Sequence, residues 1–201
     1  MTRARDLASL GDNTTKLEQA GLIQIIPTSV TKGASGSGSV DSKGNVTFSG
    51  TESIALNGIF SATYDNYKIV ASFNTPSADT YLSFKLRNSG TDTSTAYYWS
   101  SYETKTDGVS NVRTGSNETR VWGNATDSGN TYSYSYNVEV QNPFLNVKTD
   151  YTWVSRGFTS TGTNLTTYGG GSRDASIQDS FTFYVESGTF AGTIRIYGYN
   201  Q

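Results

Sequence analysis

Cysteine and histidine are both missing from this 201-residue chain, and proline occurs only three times. Without thiols there is no disulfide framework and no thiolate metal site, so stability has to come from packing; such a chain also suits assembly in a reducing cytoplasm. Without imidazole the usual nucleophile–base pairs and the commonest metal ligand are gone. Charge is scarce as well. Only 16% of residues are Asp, Glu, Lys or Arg and the net charge is −2, so no broad basic field is available to hold a nucleic-acid backbone or an anionic membrane. No apolar run approaches the roughly 18 residues that a membrane span needs. The opening Met1-Thr2-Arg3-Ala4-Arg5-Asp6 lacks the apolar stretch of a signal peptide. A soluble chain that is not exported by that route, with neither nucleic acid nor membrane as partner, is the expectation.

What is abundant is aromatic and turn-forming. Fourteen tyrosines, twenty-one glycines and many Ser, Thr and Asn residues between apolar stretches are the composition of sheets joined by turns. From Val46 onward the apolar residues recur with period two. Ile54 and Leu56, then Tyr67, Ile69, Ala71 and Phe73, then Leu82, Phe84 and Leu86 alternate with polar or small neighbours. Tyr132, Tyr134, Tyr136, Val138 and Val140 do so most regularly, and Phe181, Phe183, Val185, Phe190, Ile194 and Ile196 close the series. Each run predicts an antiparallel strand with one buried side. The fold class read from this is all-β, an antiparallel β-sandwich of jelly-roll-like kind, over residues 41–201. Two stretches, about Lys105 to Thr131 and Gly157 to Gln178, lack the rhythm; loops so long are unusual in a compact domain, so they either carry function or contain short strands that the pattern does not resolve, and the expectation is that they lie at one exposed end of the sandwich and carry recognition.

Residues 1–40 read differently. Thr2 can cap a short helix, Leu7, Leu10 and Leu17 have coiled-coil-like spacing, and Gly21 terminates it. So short a helix needs a partner. Leu22-Ile23-Gln24-Ile25-Ile26-Pro27 is apolar and extended, and Thr31 to Ser39 has the Gly/Ser composition of a flexible linker. The expectation is an arm and linker over 1–40 ahead of the β domain.

Little chemistry is left for an active site. Paired carboxylates, as in glycoside hydrolysis, are the remaining option. Asp79, Asp92, Glu103, Asp107, Glu118, Asp127, Asp150, Asp174 and Asp179 stand mostly in turn-like contexts, where Asp bonds its own backbone. Calcium held by turn carboxylates is the remaining metal option, although no EF-hand-like loop occurs. Gly169-Gly170-Gly171 is followed by no Lys-Ser/Thr, so it reads as a flexible turn rather than a phosphate cradle. No catalytic residue, metal ligand or cofactor is assigned, and the protein is read as a non-enzyme. The aromatic cluster is more suggestive. Along a strand Tyr97 and Trp99 face one way and Tyr98 and Tyr102 the other, so one pair belongs to a core and the other to an interface or to ligand stacking. In the two long irregular stretches Arg113, Arg120, Trp122, Tyr168 and Arg173 are the flat, donor-rich side chains found in binding hot spots, and they form the candidate recognition surface.

The segments Thr2-Arg3-Ala4-Arg5-Asp6-Leu7-Ala8, Leu22 to Val30 with the Gly/Ser run after it, Ile54-Ala55-Leu56-Asn57-Gly58-Ile59-Phe60, Tyr64 to Ile69, Leu86 to Asp92, Asn142-Pro143-Phe144 and Gly192 to Tyr199 are similar to structural proteins of tailed-phage virions, of the tail-fibre, head-fibre and decoration type. The resemblance runs through nearly the whole chain. It implies an appendage or surface module of the virion, assembled in the host cytoplasm, commonly trimeric, fixed by its N-terminus to a capsid, portal/adaptor or tail protein and exposing its β domain for decoration or attachment to the host, with a host-surface glycan as a further partner. Arg3, Arg5, Leu7, Leu10, Leu17, Leu22, Ile23 and Ile25 are then the docking residues. The leucine spacing and the outward aromatics add the expectation of a homotrimer. The rival readings are a free carbohydrate-binding module and a tail-spike polysaccharide depolymerase; no repeat of fixed period, as a long β-helix would have, is visible.

Overall fold

Period-two alternation of large apolar and polar side chains sets which side of each strand is buried, and the computed structural model, which describes residues 21–74, 76–126, 133–158 and 163–200, follows that pattern. Among the described residues the chain is entirely strand and turn, without a helix. Sixteen strands run in order: β1 (Ile23–Ile25), β2 (Ser29–Lys32), β3 (Ser37–Val40), β4 (Val46–Thr51), β5 (Ser53–Asn57), β6 (Asn66–Asn74), β7 (Thr80–Asn88), β8 (Thr91–Asp92), β9 (Tyr97–Lys105), β10 (Ser110–Glu118), β11 (Val121–Thr126), β12 (Ser133–Gln141), β13 (Thr149–Phe158), β14 (Asn164–Arg173), β15 (Ser180–Val185) and β16 (Phe190–Tyr199). They form two antiparallel sheets. The large one has the order β10-β9-β14-β13-β12-β6-β16-β4-β3, with β1 also on β16. The small one is β11-β7-β15-β5-β2, with β8 on β7. The protein is an antiparallel β-sandwich, as the alternation predicts.

One apolar core joins the inward faces of both sheets. Phe73 of β6 meets Phe183 of β15 edge-on with ring centroids 5.0 Å apart, and Phe84 of β7 faces Trp153 of β13 at 5.9 Å. Tyrosine fills a large share of this core, and each buried phenol needs a partner for its hydroxyl. The Tyr136 hydroxyl donates to the Leu82 carbonyl across the sandwich at 3.1 Å, and Tyr151 donates to the Tyr98 carbonyl at 3.1 Å. The Tyr97 hydroxyl accepts from the Leu86 N–H at 2.8 Å and lies 2.7 Å from the Thr93 hydroxyl. Burial pushes the Tyr97 phenol up to about 12 because the buried site disfavours the phenolate.

Three sequence expectations are corrected here. The Gly/Ser run is not a linker. It supplies β2 and β3, which pair with β5 and β4, so both sheets begin before residue 41. Gly36 has φ +78° and lies flat on the Ser49–Gly50 backbone, while the Ser35 hydroxyl bonds the Gly50 carbonyl and the Glu52 carboxylate at 2.7 and 2.9 Å. The glycine there serves a fixed conformation. The two irregular stretches are not long loops either: the first contains β10 and β11 and the second β14. Finally, Gly169-Gly170-Gly171 is mid-strand, not a turn. Cβ atoms at Gly169 and Gly171 would collide with the Trp153 indole and with the Tyr98–Trp99 backbone. Their missing side chains make room for the two indoles that pack beneath, Trp99 and Trp153, 6.4 Å apart.

Candidate functional site: the outer face of the large sheet

Alternation that sends Tyr97, Trp99 and Ser101 of β9 inward sends Tyr98, Ser100 and Tyr102 outward. Antiparallel registry then carries the outward set across the sheet. Val112 of β10 lies opposite Tyr102, Tyr102 opposite Tyr168 of β14, Tyr168 opposite Val154 of β13, and Val154 opposite Asn137 of β12. Directly opposed residues have side chains about 5 Å apart, so these side chains form a continuous band perpendicular to the strands. Tyr102 is 47% exposed, Tyr168 48% and Val112 73%. Three large apolar side chains adjacent on one face and open to solvent are a patch that folding of the described chain does not cover.

Beside the tyrosines the sheet has a floor. Gly170 lies on the outward side between Ser100 and Thr152, and with no side chain there the surface drops to the backbone. A shallow depression of about 480 Å³ results, lined by Ser100, Ser101, Tyr102, Val112, Thr152, Tyr168, Gly169 and Gly170. A second, of about 440 Å³, is lined by Lys68, Ser135, Asn137, Val154 and Arg156, and its Val154 is the cross-strand partner of Tyr168 in the first. Lys68 pairs with Glu139 at 3.1 Å. Arg156 is exposed. The arrangement offers flat ring faces, hydroxyl and amide groups, and guanidinium donors on a rigid sheet. It is suited to binding an extended ligand lying across the strands.

The predicted site residues separate into three groups. Arg3, Arg5, Leu7, Leu10 and Leu17 lie outside the described residues. Of the other docking residues Ile23 and Ile25 belong to β1 on β16, Ile25 packs against the core, and Leu22 is exposed. Among the aromatics Tyr97 and Trp99 are buried while Tyr98 and Tyr102 face out, the division that alternation predicts. The recognition residues do not share one surface. Only Tyr168 lies in the outward band. Arg113, at 3.7 Å from Glu103, also lies over the Tyr81 ring. Arg120 pairs with Glu186 and covers Trp122, which packs against the core and against Tyr81 at 4.8 Å. Arg173 is buried beside Tyr97.

Glu103, grouped by sequence with the turn carboxylates, instead stands inside β9, buried and bonded to Asn111 at 3.1 Å with Lys105 and Arg113 nearby. That surrounding of two cations and an amide explains how a carboxylate is accommodated there. Among the described residues no three acids converge as a metal site would need. The residues missed by sequence reasoning are Val112, Val154, Arg156 and Gly170. Their signal is cross-strand registry with Tyr102 and Tyr168, which only a known strand order discloses.

No family model and no curated protein matches the sequence. Among solved structures the chain is similar to a protein of unknown function from Shewanella oneidensis MR-1, at a TM-score of 0.34 and 12% identity over 90% of this chain and 78% of that one.

Proposed function

We propose that this chain is a non-enzymatic binding module of a phage virion appendage, which docks through its N-terminal segment and engages a host-surface glycan with the outer face of its large sheet. The virion placement is supported by the resemblance of its N-terminal and body segments to tailed-phage structural proteins. The binding role is carried by one observation, the solvent-open band of Val112, Tyr102 and Tyr168 beside the bare floor at Gly170. Phenol rings present apolar faces to the C–H faces of sugar rings and a hydroxyl to their polar edges, and strands hold them without the ordering cost of a loop.

The test is twofold. Particles carrying a label at the C-terminus of this chain are imaged by electron microscopy, and adsorption to host cells is measured for phage bearing Tyr102→Ala with Tyr168→Ala. Label on the particle and a loss of adsorption of tenfold or more support the reading. Particles without label leave a free carbohydrate-binding module as the better description, and labelled particles with unchanged adsorption overturn the assignment of the face.

A further inference from the structure

The second depression carries charge, and the outward face around it is more positive than the chain as a whole. Lys68, Arg156 and Arg195 point outward from β6, β13 and β16, against a single carboxylate, Glu139, in the same rows. Glu139 is taken up by Lys68. Arg195 donates to the Asn45 side-chain oxygen at 2.7 Å, and the same amide donates to the Asp41 carboxylate at 2.7 Å, whereas Arg156 has neither an ion-pair nor a hydrogen-bond partner among the described residues. The next carboxylate on this face, Asp150, is six residues down β13 from Arg156, roughly 20 Å at about 3.4 Å per residue. Arg156 is therefore left without a counter-charge among the described residues, in a chain of net charge −2.

From this we infer that the ligand of the sheet face is an anionic polysaccharide. Its sugar rings rest on Tyr102 and Tyr168, and an acidic group one or two strands away is held by Arg156, with Arg195 adding long-range attraction. This rests on the glycan-binding reading above and narrows its ligand class. The geometry accommodates a chain rather than a single sugar. From β9 to β6 the face spans four strand spacings, roughly 19 Å at about 4.8 Å each. The planar guanidinium donates two parallel hydrogen bonds to carboxylate or sulfate alike, so the shared chemistry is an oxyanion carried on a sugar polymer.

Three polymers test it on the full chain: polygalacturonate, dextran sulfate and neutral dextran, each titrated at low and at high salt. Polygalacturonate is expected to bind at least tenfold more tightly than dextran and to weaken as salt screens the arginines. Arg156→Gln should lower that affinity roughly fivefold with an unchanged melting curve, a larger loss than it causes for dextran. Dextran sulfate binding as tightly as polygalacturonate also supports the proposal and generalises the acidic group; weaker binding identifies it as a carboxylate. Equal binding of dextran and polygalacturonate, with Arg156→Gln silent, overturns the anionic ligand and leaves the stacking face standing. Polyanion binding untouched by Tyr102→Ala and Tyr168→Ala overturns the sheet face itself, and no binding of any of the three polymers overturns the proposal.

Discussion

The two sheets turn very different outer faces to solvent. On the small sheet the polar groups are tied to one another: Arg87 reaches Asp92 at 3.2 Å and Thr182 at 3.3 Å, Thr182 donates to Asp92 at 2.9 Å, Lys85 lies over the Tyr184 ring, and Arg120 bridges Glu186 and Trp122. Even the outward Ser83 and Thr182 are buried under this layer. On the large sheet Tyr102, Tyr168 and Val112 face solvent, and Arg156 has no partner among the described residues. A face whose groups satisfy each other contributes to holding the fold. A face whose aromatic and cationic groups are left open has capacity to spare for another molecule.

The largest separation between the two faces is expected at their aromatic residues. Trp122→Ala should cost about 2 kcal/mol, somewhat below the figure for a fully buried tryptophan, because the indole is only partly covered; chemical denaturation measures it. Loss of less than about 0.5 kcal/mol would place Trp122 with the open residues and blur the contrast.

An intermediate effect should appear at alkaline pH. Burial pushes the Tyr184 phenol, under the small sheet's polar layer, up to about 12, with Arg120 opposing the shift, and Tyr97 is raised to about the same value. A phenol whose folded-state pKa exceeds its unfolded value of about 10 stabilises the fold fully below pH 10, and that contribution is lost as pH rises toward 12. Melting temperature should therefore fall across that window. Tyr184→Phe should flatten the fall, and an unaltered slope in that variant would remove Tyr184 from the stabilising set.

The smallest effect on stability is expected on the large sheet. Tyr168→Ala and Tyr102→Ala should each change folding free energy by about 0.5 kcal/mol or less, the usual range for exposed substitutions, as read from denaturation midpoints. A cost near that of Trp122→Ala would show that these rings support the fold after all.

Much of the sandwich could be read from the chain because large inward side chains mark its central strands. Tyr134, Tyr136, Val138 and Val140 on β12, alternating with polar residues, leave no other reading. The strands that escaped notice lack that mark for physical reasons. β10 is the edge of the large sheet and is largely exposed, so its sequence, Ser110 to Glu118, has no buried face to advertise. β14 places Gly169 and Gly171 at inward positions where a pattern search looks for bulk. The Gly/Ser composition around β2 and β3 has the look of a flexible linker, but glycine there serves close backbone approach. The site was half legible. The outward direction of Tyr98 and Tyr102 follows from parity alone, whereas the alignment of Tyr102 with Tyr168 and Val154 depends on β14 lying between β9 and β13, a long-range pairing that no local signal encodes.

Strand β14 also sets how this surface can change over generations. Its inward glycines are confined, Gly169 by the Trp153 indole and Gly171 by the Tyr98–Trp99 backbone, but Gly170 between them has no atom closer than 3.5 Å to a would-be Cβ. Outward positions on β9, β13 and β14 can thus be exchanged without disturbing the tryptophan layer. The chemistry of this surface can be rewritten one outward residue at a time, with the scaffold's foldability left intact.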